Sequence, residues 1–149
     1  MTTDPLDLWP DAIQVAPLTP LRILRLQADR LREKTQGRLV AEVLSAGKGS
    51  PVAVPNEWGP TFVHRFEIVA GALNGYRHQL VVCIHQQEFA YPVLVVAGGR
   101  SEDGDGDLAS SQEEFMRIMK DILNSKQTVA LISSLLARIA EPMVTPVPA

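Results

Sequence analysis

From Thr61 the chain alternates strictly: Phe62, His64, Phe66 and Ile68 fall on one parity, and Val63, Arg65, Glu67 and Val69 on the other. A period of two sends successive side chains to opposite faces of a strand, so the first set marks the better-buried face. Asn74-Gly75 follows, and both residues tolerate the positive φ of a two-residue type I′ turn. The pattern therefore predicts a β-hairpin whose second arm is Tyr76–His85. A further β-rich run over Tyr91–Ala97 extends the hairpin to a meander, and Val40 and Val43 within Leu39–Leu44 mark a short earlier strand.

Helical spacing brackets this β region. Thr19-Pro20 reads as an N-cap followed by an N1 proline, and Leu21, Leu24, Ala28 and Leu31 recur at helical intervals before Gly37, which predicts a helix over about residues 20–36. Ser111-Gln-Glu-Glu114 has capping-box spacing and opens an amphipathic helix carrying Phe115, Ile118, Met119 and Ile122. After Asn124-Ser125, a last helix over about 127–140 gathers Val129, Ile132, Leu135, Leu136 and Ile139 on a broad face too apolar for water. It is expected to pack on the sheet or on another subunit, and Ile132, Leu136 and Ile139 are its candidate interface residues.

The breakers between Ser45 and Pro60 predict a surface loop, with Val52–Val54 as a brief extended piece and Trp58 as an anchor. Residues 1–18 form an irregular arm rich in Asp and Pro, whose Leu8, Trp9 and Ile13 can dock on a core, and Pro142, Pro146 and Pro148 predict a mobile tail over 141–149. The expectation is one domain over 1–149. Its fold class is α+β: a mainly antiparallel sheet of about four strands, with an N-terminal and two C-terminal helices packed on it.

Composition narrows the function. The net charge of −3 offers no broad attraction for nucleic acid or anionic membrane, and no stretch is long enough to span a bilayer. Cys83 is the only cysteine, so no intramolecular disulfide forms, and the absence of a leader pattern at the start gives a cytoplasmic reading. No cofactor is implied, since neither a phosphate-cradling glycine loop nor a Gly-x-Ser-x-Gly turn occurs.

Three patterns could carry chemistry. With Asn74 and Gly75 as the only turn residues, His64 faces His85 and Phe66 faces Cys83, so three metal-ligating or nucleophilic side chains share one sheet face. That face is also the one the sheet most needs to bury, which favours a core role for Cys83 and the histidines. Asp103, Asp105, Asp107 and Glu114 match positions one, three, five and twelve of a calcium loop, although Leu108 stands where such a loop turns on glycine. Arg22, Arg25, Arg30, Arg32 and Lys34 outweigh Asp29 and Glu33 on the first helix by three charges, a basic face on which Arg22, Arg25 and Arg32 could meet an acidic partner.

These features predict a small protein-binding or regulatory module without catalytic activity, for which an immunity-type or antitoxin-like role is an analogy. Its partner would be another protein, or a second copy through the C-terminal helix. The alternative is an enzyme or metal-dependent small-molecule binder using His64, Cys83 and His85, with Arg65 as an auxiliary group.

Overall fold

The computed structural model describes residues 5–13, 18–47, 54–98 and 106–141. Helix α1 (Pro20–Lys34) starts where Thr19 Oγ1 accepts the Arg22 N–H at 3.2 Å and Pro20 supplies a preset φ. It stops at Thr35, two residues earlier than the apolar spacing predicts. There Gly37 takes φ +78° and its N–H closes on the Arg32 carbonyl at 2.9 Å. The Thr35 hydroxyl, buried, donates to the Leu31 or Leu39 carbonyl and accepts the Leu39 N–H, tying the helix end to the strand that follows.

Five antiparallel strands run in chain order: β1 (Val40–Ala46), β2 (Thr61–Ala70), β3 (Tyr76–Gln86), β4 (Val93–Ala97) and β5 (Asp107–Ala109). β5 is one more than the sequence pattern predicts, because three residues following an acidic stretch carry too little periodicity to register as a strand. Helices α2 (Gln112–Leu123) and α3 (Lys126–Ala140) close the described chain. Ser111 caps the helix as its spacing predicts, its Oγ accepting the Glu114 N–H at 3.2 Å, while the Glu114 carboxylate reaches one residue beyond the N-cap to accept the Ser110 N–H at 2.8 Å.

The meander turns differently from the expectation. Ala70 and Tyr76 are the last pair, so five residues connect β2 to β3: a 3₁₀ turn over Gly71–Leu73, then Asn74 and Gly75, both at positive φ. Relative to the two-residue turn, pairs next to the loop are displaced by three positions. Beyond Leu80, an extra residue in β3, they are displaced by two. Phe66 consequently faces Val81, and His64 faces Cys83 instead of His85. Because two is even, the side chains beyond Leu80, among them Val81, Cys83 and His85, still emerge on the face their parity predicts.

One sheet face carries the main core. Phe66, Ile68, Val81, Cys83, Val93 and Val95 lie under α1, α2 and α3, which contribute Ile23 and Leu24, Phe115 and Met119, and Leu135. Much of the apolar face of α3 is consumed here, since Ile132, Leu136 and Ile139 pack partly buried against this core. The opposite face holds a smaller cluster, in which Trp58 covers Val63, Val82, Ile84 and Val96. Trp58 thus anchors its loop as expected, whereas Val52 and Ala53 of the expected extended piece lie outside the described residues. The docking expected of the N-terminal arm does not occur: Leu8, Trp9 and Ile13 are all at least 74% exposed. Within the arm, the Trp9 N–H bonds back to the Asp7 carboxylate at 3.1 Å, a local turn.

Candidate functional site

The C-terminal end of β3 brings together two of the three residues singled out by parity, and adds one. His64 on β2 and His85 on β3 are 3% and 8% exposed, diagonal neighbours whose Nε2 atoms are 2.9 Å apart. Ser45, paired with His64 across β1 and β2, places its Oγ 2.7 Å from His64 Nδ1. At the other end, His85 Nδ1 lies 2.7 Å from the Gln86 carbonyl oxygen and 3.0 Å from that of Phe89. Phe62 flanks both imidazoles, with ring centroids 6.2 Å from His64 and 5.8 Å from His85.

The two carbonyls give this chain a direction. A carbonyl only accepts, so His85 Nδ1 carries a proton, and in the tautomer that leaves its Nε2 unprotonated His85 has a lone pair there. His64 donates Nε2–H to it, which leaves His64 Nδ1 as an acceptor. Only the Ser45 hydroxyl can supply that proton. Every member is satisfied, and among the described residues no buried side-chain nitrogen or oxygen lacks a partner. Burial, reinforced by His85 and by Arg25 on α1, lowers the His64 pKa to about 4 and holds it neutral near pH 7.

Cys83 shares the face but not the network. It is fully buried, burial raises its thiol pKa, and the reactive thiolate is correspondingly suppressed. No group of three or more His, Cys, Asp or Glu side chains among the described residues converges as a metal site. Of the calcium-loop pattern, Asp103 and Asp105 lie outside the described residues. Asp107 belongs to β5, pairing with Val95, and the Glu114 carboxylate is engaged in the helix cap. On α1, Arg22, Arg25 and Arg32 are exposed as the basic-face reading requires, and Arg30 pairs with Glu33. On the outer face of the sheet Arg77 bridges Glu67 and Glu42, whereas Arg65, opposite Val82, joins no ion pair among the described residues.

The opposite end of β3 opens into a cleft of about 690 Å³ between the sheet and helices α2 and α3. Leu80, Val95, Ile118, Ile122 and Leu131 give it an apolar lining, and Asp107, Arg117 and Asp121 add charge. Arg117 and Asp121 are one helical turn apart on α2, yet none of the three joins an ion pair among the described residues. The sequence pattern did not point to this cleft. Ile118 and Ile122 read as core positions, and the cleft draws its other lining residues from elements distant in the chain. Gly98 lines it with backbone, at a position where a Cβ would collide with the Gln79 carbonyl.

No protein-family model, curated protein or solved structure matches the chain.

Proposed function

We propose that this protein is a cytosolic binding module that holds a segment of another protein in the cleft between α2, α3 and the β3–β5 end of the sheet. The observation carrying this reading is the make-up of the cleft: apolar side chains interleaved with His78, Ser125, Gln127 and Thr128, together with Asp107, Arg117 and Asp121, none of which joins an ion pair among the described residues. Apolar surface of that kind gains from being covered, and charges left free at its rim favour one register and orientation of an incoming chain. The cytosolic reading draws on the single, fully buried cysteine and the absence of any membrane-crossing helix among the described residues.

The test is photo-crosslinking in the native cell, with a benzophenone amino acid at Arg117 and, as control, at Ser133 on the exposed side of α3. A discrete polypeptide adduct is expected from position 117 and not from 133, and Asp121→Lys is expected to remove it. Indistinguishable adduct patterns from the two positions would refute the reading. Homo-oligomerisation through Ile132, Leu136 and Ile139 is the weaker second reading, since those side chains already contribute to the internal core. Only Val129, 50% exposed, leaves a large apolar side chain of this helix open.

A further inference from the structure

The geometry points to Ser45 as a nucleophile for activated acyl groups, with His64 as its base and His85 as the residue that positions His64. This goes beyond the binding reading and concerns the other end of the sheet. Three features combine. Ser45 is exposed on edge strand β1, whereas the two imidazoles behind it are buried, so the reactive end of the chain meets solvent and the rest does not. The nucleophile-to-base and base-to-orienter distances, 2.7 and 2.9 Å, lie in the range that proton transfer requires. Finally, the Gln86 and Phe89 carbonyls place a proton on His85 Nδ1, and with His85 Nε2 as the acceptor of His64 Nε2–H the Ser45 hydroxyl hydrogen points at the lone pair of His64 Nδ1. A hydroxyl in a merely structural bond can point either way; this one is directed.

The substrate class follows from the surroundings. Phe62, 37% exposed and in ring contact with both histidines, gives an apolar wall suited to an acyl or aryl group. The base is weak, because burial, His85 and the cation of Arg25 all oppose an imidazolium at His64. Weak basicity restricts the site to donors with good leaving groups, such as aryl esters and thioesters. In the step, Ser45 Oγ bonds to the acyl carbon while its proton passes to His64 Nδ1. The bond from carbon to the leaving oxygen or sulfur breaks, and the departing group takes the proton from His64. The product is an acyl-serine and a free alcohol or thiol. The proton rests on His64 only in passing, since burial, His85 and Arg25 all disfavour the imidazolium, while His85 Nδ1–H remains on the two carbonyls.

The probe is p-nitrophenyl acetate on the full chain, with acetylation mapped by peptide mass spectrometry at short times. Ser133 and Ser134, exposed on α3, are internal controls. Ser45 is expected to acetylate at least about 100-fold faster than either, the scale of general-base assistance. Its rate should be level near neutral pH and fall as His64 protonates towards pH 4. Ser45→Ala should abolish that fast phase. His85→Gln should move the pH inflection, and because that substitution is buried and can impair folding, the wild-type pH profile stands as the independent readout. Acetylation of Ser45 no faster than of Ser133 and Ser134, or a rate rising with hydroxide throughout with no inflection near pH 4, would overturn the proposal. An inflection unchanged in folded His85→Gln would overturn the positioning role of His85.

Discussion

The two ends of β3 handle polar groups in opposite ways. At its C-terminal end Ser45, His64 and His85 are joined in a chain that terminates on backbone carbonyls. At its N-terminal end Asp107, Arg117 and Asp121 line a cleft of mixed polarity and join no ion pair among the described residues. The difference is a matter of water. An unpaired polar group costs about 1–3 kcal/mol when buried and little when solvated, so the imidazoles must be satisfied internally while the cleft charges need not be. Internal satisfaction makes one end rigid and directional. Solvation leaves the other end free to pair with something else.

Breaking the buried chain should have the largest effect. His64→Ala removes a buried ring and strands His85 Nε2, so about 3 kcal/mol of stability should be lost in urea denaturation. Replacing Arg117 or Asp121 by Ala should change stability by less than about 0.5 kcal/mol in the same measurement while weakening partner crosslinking. Equal losses at the two ends would erase the distinction.

Acid sharpens the same contrast. The folded-state pKa of His64, about 4, lies below the ordinary histidine value of 6.5, so between those values the unfolded chain binds more protons than the folded one. The stabilisation is fully present above pH 6.5 and is lost as pH falls towards 4. The expected loss is on the order of 2 kcal/mol, allowing for partial solvent relaxation around the ring. Urea midpoints collected across this range should trace the fall, and Asp121→Asn should leave its shape unchanged. A smaller, kinetic effect concerns Cys83 on the same face. Iodoacetamide should leave it unlabelled in the folded protein at neutral pH and modify it readily in urea, because burial withholds both access and the thiolate.

Much of this architecture was legible in the sequence, for identifiable reasons. Thr19-Pro20, Ser111 to Glu114 and the parity of Phe62, His64, Phe66 and Ile68 each encode a local geometry, and each appears where expected. Asn74-Gly75 encodes two residues at positive φ, which it delivers. It does not encode how many residues precede them in the loop, so the two-residue turn was wrong. The placement of His64, Cys83 and His85 on one face survived because the longer loop and the bulge at Leu80 shift the outer register by an even number.

Ser45 was missed for a different reason. Its residue type and the glycine that follows soon after read as the start of a loop, and its pairing with His64 is set across a long connection. The cleft was missed because its lining comes from β3, β4, β5, α2 and α3. No local pattern announces a space between elements that are far apart in the chain.

The directional hydrogen-bond chain is the central claim, and long-range ¹H–¹⁵N correlation NMR of the imidazoles tests it most directly. At pH 7 the account predicts a neutral His64 protonated at Nε2 and a proton on His85 Nδ1, with His64 titrating near pH 4. A proton on His64 Nδ1 at pH 7, or a His64 titration near the ordinary value of 6.5, would contradict it.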